Sequence, residues 1–420
     1  MPRPLPRREF LATAAAALGP FGCERAADRS QTQVALWFSY GGRNREVLEG
    51  LVRRYNAVQA QDRVQAVFQG DYFEGLAKLR IALAAGTPPS LTHVVSEVVP
   101  YLENAGVLEP LAPYEGASTL DVLPAFRQEQ AFRGAPPGLC ALPFNRSTPI
   151  AYLNRSLFDR AQLEPPRTWA EVRDVARAFT RRGGESRHGF GCPIDWWFWV
   201  ALVEQAGGSV VEPDGRISLG DEAGVAALEF WQGLARERLM KVPTGRDYNA
   251  WEQINQDFLA GRVAMIWSTT AFVRYLEDNA RFPVRAAPLP AGVRRAVPTG
   301  GTHWVIPKAA SAPEKAAAWR FLRFMLEPPQ VVDWATSTGY IPVTQAAVNA
   351  LSERGYYRVH PNDAVALEQL TVASPWPWSI RLFRVAREIV QPRLERVVFA
   401  GADARRELAE ARALCATEFA

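Results

Sequence analysis

Apolar positions in the first hundred residues alternate between the spacing of strands and the spacing of helices. Residues 33–38 form an apolar run of strand length, whereas 46–60 repeat apolar side chains at helical intervals. Residues 64–68 alternate like a second strand, 72–85 form a second helical stretch that a Gly-Thr-Pro-Pro turn ends, and 91–96 are again strand-like. This order predicts a mostly parallel sheet covered by helices, which is an α/β architecture.

A second unit of the same kind begins near residue 142. Thr168 and Glu171 have the spacing of a capping box, in which a hydroxyl and a carboxylate satisfy the unpaired amides at a helix start, and Ser311 and Glu314 repeat this spacing. Helices are predicted at 169–182, 221–236, 251–260, 312–326, 342–353, 361–370, 383–399 and 402–419, and a strand is predicted at 263–267.

No low-complexity linker and no internal repeat separates the two units. At about 150 residues per domain, a chain of 420 residues corresponds to two or three structural units. Because no linker divides the chain, we expect two lobes that several passages of the chain connect, each lobe being assembled from more than one stretch of sequence.

The first residues have the character of an export signal. Arg7 and Arg8 precede a Glu-Phe-Leu triplet, an apolar run of about 12 residues and a Gly-Cys pair that ends at Cys23. This run is too short to cross a bilayer, which takes about 20 residues. The paired arginines predict a twin-arginine signal over residues 1–22. Cys23 is a candidate for lipidation, although the Pro-Phe pair before it departs from the usual residues of a lipoprotein cleavage site.

Composition and charge narrow the class of protein further. Hydrophobic residues make up 48% of the chain and charged residues 22%, as in ordinary globular proteins, which excludes a disordered or fibrous chain. The net charge of +4 is small and evenly spread, which argues against nucleic acid as a partner. Only four of the 48 basic residues are lysines, a skew that a GC-rich genome explains, although arginine is also a residue that recognises phosphate.

Motifs for catalysis or metal binding are absent from the sequence. No P-loop, HExxH or GxSxG motif occurs, and no pair of carboxylates stands out as a general acid and base. Besides Cys23, the cysteines are Cys140, Cys192 and Cys415, which allow at most one disulfide and do not match the spacing of a zinc site. The sequence therefore predicts a binding protein, not an enzyme, without a cofactor or a metal.

Several longer motifs resemble one family of exported proteins. They are Phe-Asn-Arg-Ser-Thr-Pro at 144–149, Pro-Arg-Thr-Trp at 166–169, Phe-Leu-Ala-Gly at 258–261, Gly-Gly-Thr-His-Trp-Val-Ile at 300–306 and Thr-Gly-Tyr-Ile-Pro-Val-Thr at 338–344. From about 34 to 414 the chain resembles the extracytoplasmic solute-binding proteins of ABC importers, in the sugar-binding group. Within that group it is most similar to the branch that binds glycerol-3-phosphate and glycerophosphodiesters.

The resemblance implies a periplasmic-binding-protein-like class II fold, with two α/β lobes, a hinge and a ligand cleft between the lobes. One lobe would comprise residues 33–142 and 269–328, and the other lobe 143–268 and 332–420. A hinge motion would close the lobes around the ligand.

The resemblance also implies which residues bind the ligand. Tyr72 matches a binding tyrosine that follows a strand. The family has a carboxylate where direct counting places Ser96, so that Glu97 would serve after a shift of one residue and accept hydrogen bonds from ligand hydroxyl groups. The remaining residues that would donate hydrogen bonds are Ser147, Thr269, Gly301 through its backbone N–H, Tyr340 and Arg387.

Arginine and tryptophan would supply the most specific contacts. Arg387 is the candidate for the phosphate, because its planar fork matches phosphate oxygens in pairs, and Arg381 and Arg384 compete for this role. In the segment Asp-Trp-Trp-Phe-Trp at 195–199, Trp196 and Trp199 would share one helical face and line the cleft. There they would hold a quaternary ammonium group by cation–π attraction or stack on a sugar.

The resemblance therefore implies the substrate-binding subunit of an ABC importer for glycerophosphodiesters, such as glycerophosphocholine, or for glycerol-3-phosphate. Its partners would be this small molecule and the transmembrane permease subunits, and it would act as a monomer in the periplasm or at the cell surface. Two alternatives stay open at this point: a binding protein for a neutral mono- or oligosaccharide, and an exported phosphodiester hydrolase.

Overall fold

Two five-stranded mixed sheets organise the chain. The computed structural model describes residues 31–114, 116–117, 120–127, 139–183, 186–244, 247–374 and 384–418. The strands of the first sheet are β1 (Thr32–Phe38), β2 (Asp62–Phe68), β3 (Leu91–Val95), β4 (Leu142–Ser147) and β11 (Gly300–Val305). The strands of the second sheet are β5 (Pro149–Asn154), β6 (His188–Gly191), β7 (Met240–Lys241), β8 (Val263–Thr269) and β9 (Val284–Ala287). A third, two-stranded sheet pairs β10 (Val297–Pro298) with β12 (Ala373–Ser374).

Helices cover both sheets and join them. In chain order they are α1 (Gly42–Val58), α2 (Tyr72–Ala84), α3 (Val99–Asn104), α4 (Pro124–Arg127), α5 (Arg155–Ala161), α6 (Trp169–Phe179), α7 (Trp196–Gln205), α8 (Asp221–Arg236), α9 (Asp247–Leu259), α10 (Val273–Asn279), α11 (Ala312–Met325), α12 (Pro328–Thr338), α13 (Gln345–Glu353), α14 (Tyr356–Val359), α15 (Pro361–Gln369), α16 (Gln391–Ala400) and α17 (Ala404–Glu418). A π-helical segment, Val385–Val390, precedes α16. Within the described residues, no helix is both long and apolar enough to cross a membrane.

The strand orders are β2-β1-β3-β11-β4 and β7-β6-β8-β5-β9. In each sheet two of the four strand pairs are parallel and two are antiparallel. The α/β class is confirmed, but the prediction of a mostly parallel sheet is wrong for half of these pairs. The reason is that β5 follows β4 of the first sheet, and β11 follows β10 of the two-stranded sheet, after a single residue, so neither strand enters its sheet through the helical crossover that a parallel pair requires.

The chain passes from the first sheet to the second at one buried residue, and from the two-stranded sheet to the first sheet at another. Thr148 alone separates β4 from β5, and Thr299 alone separates β10 from β11. Gln369 fixes the first of these passages, since its side-chain amide donates to the Thr148 hydroxyl (2.8 Å) and to the carbonyl of Pro149 (2.6 Å). The lobes are therefore joined by several hydrogen-bonded passages, as the lack of a linker predicts.

Several elements join a sheet or core other than the one that the predicted lobe limits imply. Strand β4 belongs to the first sheet, although residues from 143 onward were expected in the second lobe, and β9 belongs to the second sheet. Helix α12 packs against α1, and its Trp334 lies in the same apolar core as Val34 of β1. The limits of the lobes as moving units stay a prediction.

Helix α12 shows how proline can start a helix as well as stop one. The sequence pattern ends a helix at Pro328, and no helix is predicted directly after it. In the structure Pro328 is the first residue of α12, where its missing N–H removes no hydrogen bond and its fixed φ suits the helix. The helix ends at Gly339, whose φ of +99° is a conformation that favours glycine.

Candidate functional site

The start of α2 places Tyr72 at the edge of the first sheet. Asp71 caps the helix, because its carboxylate accepts hydrogen bonds from the amides of Phe73 (2.8 Å) and Glu74 (2.9 Å), and Glu74 binds back to the amide of Asp71 (3.2 Å). Gly70 precedes the cap with φ of +94°, and a Cβ there would collide with the Glu74 carboxylate. The capping box therefore fixes the direction in which Tyr72 and Phe73 leave the helix.

Tyr72 and Tyr340, two of the candidate ligand-binding residues, lie next to each other in the structure. Their hydroxyl oxygens are 3.5 Å apart, and the side-chain amide of Asn145 donates to the Tyr72 hydroxyl (3.2 Å). Tyr340 follows the turn at Gly339 and stacks on Trp334, with ring centroids 5.7 Å apart. Two hydroxyl groups and one amide thus form a polar group on the first-sheet side, supported by a buried aromatic stack.

The Ser96 hydroxyl is hydrogen-bonded to other groups of the protein. Its side chain is buried and donates to the carbonyl of Gly301 (3.0 Å), and it accepts a hydrogen bond from the guanidinium of Arg146. The ring of His303 lies 3.3 Å from the same hydroxyl. The structure therefore engages Ser96 in a buried network, which leaves Glu97 as the candidate of the two for a contact with ligand.

Glu97 lies among charges from both sides of the molecule. Burial raises the pKa of this carboxyl to about 7, and the negative charge of Asp195 raises it as well. A backbone hydrogen bond and the positive charges of Arg387 and Arg146 act in the opposite direction. Asp195 and Arg387 belong to elements that pack on the second sheet, whereas Arg146 lies on β4 of the first sheet, so the charges that act on Glu97 come from both sides of the molecule.

Gly301 has a structural reason to be glycine in addition to its implied contact with ligand. Its φ is +107°, and a Cβ at this position would collide with the carbonyl oxygen of Asn145 in the neighbouring strand. The register of β11 against β4 shifts just after it. In the structure, this glycine therefore allows the backbone of β11 to approach the backbone of β4 closely.

Ser147 and Thr269 lie beside the crossing at Thr148. Both are buried, Ser147 pairs with Gly300, and Thr269 pairs with Pro149. The Thr269 hydroxyl accepts a hydrogen bond from the amide of Ala271 (3.3 Å) and so caps a short 3-10 turn. The two candidates thus lie near each other, where the chain passes from the first sheet to the second.

Trp196 and Trp199 lie three residues apart in α7, and both are buried in the core of the second sheet. Trp199 is 1% exposed, its indole N–H donates to the carbonyl of Gly224 (3.3 Å), and it belongs to the core of the second sheet. Trp196, at the first position of α7, is also buried. The structure does not bring Trp199 to the cleft, because this face of α7 packs against α8.

Trp197 is half-buried and lies beside the passage from β10 to β11. Its indole N–H donates to the carbonyl of Thr299 (3.2 Å), and its ring covers Gly300 so closely that a Cβ there would be 2.6 Å away. Asp195 caps α7 through the amide of Trp197 (2.8 Å) and accepts from the indole of Trp251 (3.3 Å). Asp195, Trp197 and Trp251 thus lie together beside Thr299, and they were not among the candidates from the sequence.

Arg387 reaches across from the second-sheet side. It lies in the π-helical segment before Pro392, where the wider turn is consistent with a proline that offers no N–H to the carbonyl of Glu388. Its guanidinium carbon is 3.5 Å from the centroid of the Phe73 ring. Of its two competitors, Arg384 is exposed and pairs with Glu388 (3.0 Å), and Arg381 lies outside the described residues.

Three cysteines lie in the described part of the chain. Cys140, Cys192 and Cys415 are buried, and no disulfide joins any of them to another. Burial raises the pKa of the Cys140 thiol to about 12. Among the described residues, no group of three or more His, Cys, Asp or Glu side chains could hold a metal ion.

The chain forms two mixed sheets, and polar, aromatic and charged groups lie beside the passages that join them. This arrangement is that of a bilobal α/β binding protein. The sequence pattern of the family described as bacterial extracellular solute-binding protein matches residues 51–354. The chain belongs to this family.

Curated relatives cover most of the chain. The sn-glycerol-3-phosphate-binding periplasmic protein UgpB of Pectobacterium atrosepticum is 23% identical over 416 residues, which span 93% of this chain and 92% of that protein. The protein of the same name from Salmonella typhimurium is 24% identical over 393 residues, 87% of each chain.

Solved structures share the fold. The crystal structure of UgpB from Mycobacterium tuberculosis in complex with glycerophosphocholine superimposes with a TM-score of 0.80 at 25% identity, covering 91% of this chain and 97% of that one. Maltose-bound MalE3 of T. maritima gives a TM-score of 0.80 at 20% identity, covering 92% and 100%. The latter similarity supports the two-lobe fold alone.

Proposed function

We propose that this protein captures glycerophosphodiesters, such as glycerophosphocholine, or glycerol-3-phosphate outside the membrane and delivers them to the permease of an ABC importer. The observation that carries the proposal is the position of Arg387, which contacts the residue next to Tyr72 and whose charge acts on Glu97. An arginine opposite tyrosine hydroxyl groups offers donors for phosphate oxygens, and Glu97 offers an acceptor for glycerol hydroxyl groups. Relatives named for glycerol-3-phosphate and a structure with glycerophosphocholine support the same ligand class.

Isothermal titration calorimetry of the exported form tests this function. We expect heat of binding with glycerophosphocholine or glycerol-3-phosphate and none with maltose at the same concentration. Binding of maltose without binding of either phosphate ester would reject the proposal and favour the sugar alternative, for which Trp197 and Trp251 would be the stacking surface. Phosphorus NMR of the incubated ligand distinguishes capture from hydrolysis. A hydrolase would convert the phosphodiester into a phosphomonoester, which gives a separate phosphorus signal.

Export and anchoring belong to the same proposal. We infer that a twin-arginine signal over residues 1–22 directs the chain out of the cytoplasm and that Cys23 is the candidate for a lipid anchor; both lie outside the described residues. Replacing Arg7 and Arg8 together by lysine is expected to retain the full-length precursor inside the cell. The mass of the exported wild-type chain measures both points, because lipidation at Cys23 adds the mass of the lipid to the cleaved protein.

The ligand affinity is expected to depend on pH through Glu97. Its pKa of about 7 means that the side chain becomes neutral as pH falls from 8 to 6, which removes a negative charge facing an anionic phosphodiester. We therefore expect glycerophosphocholine, whose phosphodiester stays ionised over this range, to bind roughly fivefold more tightly at pH 6 than at pH 8. Titrations at both pH values measure the effect.

The variant Glu97→Gln should flatten this pH dependence, whereas Glu388→Gln should leave it unchanged, because Glu388 is exposed and pairs with Arg384. The groups that act on Glu97 besides the ligand are Asp195, Arg387 and Arg146. Weaker binding at pH 6 would contradict the expected sign and would identify the ionised Glu97 carboxylate as an essential acceptor.

A further inference from the structure

The contact between Phe73 and Arg387 joins the two sides of the cleft. Phe73 is the second residue of α2, whose Leu76 and Leu79 are buried in a core with Val94 of β3. The neighbours of Arg387 in the π-helical segment are buried instead in the core of the second sheet. A ring from one lobe and a cation from the other thus meet at 3.5 Å.

The distance is short compared with similar contacts in the described part of the chain. Arg45 lies 5.2 Å from the ring of Phe68, Arg146 lies 5.4 Å from that of Phe126, and Arg187 lies 5.9 Å from that of Phe179. Attraction to a ring is effective within about 6 Å of the centroid and is stronger where water is excluded. Phe73 is half-buried, so the contact with Arg387 combines proximity with partial exclusion of water.

Contact with a ring uses the charge of the guanidinium and none of its five N–H donors. A carboxylate in place of the ring would compete with an anionic ligand for the guanidinium donors. An aromatic ring restrains the side chain without that competition, and so prepares the guanidinium for phosphate oxygens at a lower cost in side-chain entropy.

We propose that Phe73 is a positioning residue, which holds the Arg387 guanidinium at the cleft and thereby sets the affinity for the phosphate group. The inference rests on the proposed function, because it assigns Phe73 a task through Arg387. The residue was not among the candidates from the sequence, since nothing in the spacing of 73 and 387 predicts that they meet.

Substitutions that separate ring character from apolar volume test the role of Phe73. Phe73→Leu keeps an apolar side chain without a ring face, and Phe73→Trp keeps a ring. We expect Phe73→Leu to weaken binding of glycerophosphocholine by about 3- to 30-fold and Phe73→Trp to restore most of the affinity. In the background of Arg387→Ala, Phe73→Leu should have no further effect on affinity, because the positioned group is gone.

A measurement without ligand keeps the contact itself testable. In NMR spectra the side-chain protons of Arg387, assigned by comparison with Arg387→Lys, should be shifted upfield by the ring current of Phe73, and Phe73→Leu should abolish this shift. Equal affinities of wild type and Phe73→Leu, or an equal loss in Phe73→Leu with and without Arg387, would overturn the positioning role. If the wild-type protein binds no phosphate ester, the proposed function and the positioning role are both wrong. If the wild-type protein binds the ester but shows no ring-current shift, only the positioning role is wrong.

Discussion

Replacing Arg387 by alanine is expected to weaken the binding of glycerophosphocholine and of glycerol-3-phosphate by about 100-fold or more. Charge-assisted hydrogen bonds from arginine to phosphate are stronger than neutral ones, and truncating one partner of a buried charge pair costs about 2–5 kcal/mol. The loss should be larger than for any single hydroxyl group of the site, because Tyr72 and Tyr340 can supply only neutral donors. Calorimetric dissociation constants for both ligands measure the effect.

Arg384→Ala is the matched control for this experiment. Arg384 lies three residues earlier and precedes the same π-helical segment, but it is exposed and pairs with Glu388 on the surface. Its replacement should leave the affinity within about twofold of wild type, since exposed pairs contribute little. Equal losses in the two variants would point to a general effect of charge, and an unaffected Arg387→Ala protein would assign the phosphate to another residue.

Local patterns were sufficient to predict many elements of this fold. Both predicted capping positions are helix starts in the structure, with the Thr168 hydroxyl accepting from Glu171 and the Ser311 hydroxyl from Glu314. Strand β1 and helix α8 lie where the periodicity predicts them. These features depend on residues close in sequence, whose spacing already specifies their geometry.

The pairing of strands could not be predicted in the same way. Nothing within the run 142–154 shows that one part of it joins the first sheet and the next part joins the second sheet. That division depends on contacts with β11 and β8, which lie more than a hundred residues away in the chain. The predicted lobe limits follow the family and not such contacts, which is why β4 and β9 differ from them.

The candidate site shows the same division between local and distant information. Tyr72 and Tyr340 are candidates because each matches a position of the family, and their hydroxyl oxygens lie 3.5 Å apart, while their contact with ligand stays a prediction. Phe73 and Asp195 were missed because their roles arise only from partners in the other lobe, Arg387 and Glu97. In Ser96 and Trp199 the residue type suits a ligand, but the structure uses the polar group internally.

Trp199→Ala is expected to lower the free energy of unfolding by about 3–5 kcal/mol, while leaving the ligand affinity of the folded protein near that of wild type. The indole is buried in the core of the second sheet, so its removal leaves a cavity and deprives the carbonyl of Gly224 of its donor. Chemical denaturation followed by tryptophan fluorescence measures the loss, and calorimetry below the unfolding transition measures the affinity.

Trp197→Ala provides the opposite case on the same helix. Trp197 is half-buried and covers Gly300 at the junction of the lobes, so its removal should destabilise the protein less than removal of Trp199. It should also weaken the binding of glycerophosphocholine more than the binding of glycerol-3-phosphate. The choline cation is attracted to an aromatic surface near Asp195, whereas glycerol-3-phosphate carries no such cation. Alternatively, Trp199→Ala could fold with wild-type stability and no longer bind glycerophosphocholine. That result would mean that Trp199 lines the cleft in the ligand-bound protein, as the resemblance implies, and that its indole leaves the core when the ligand binds.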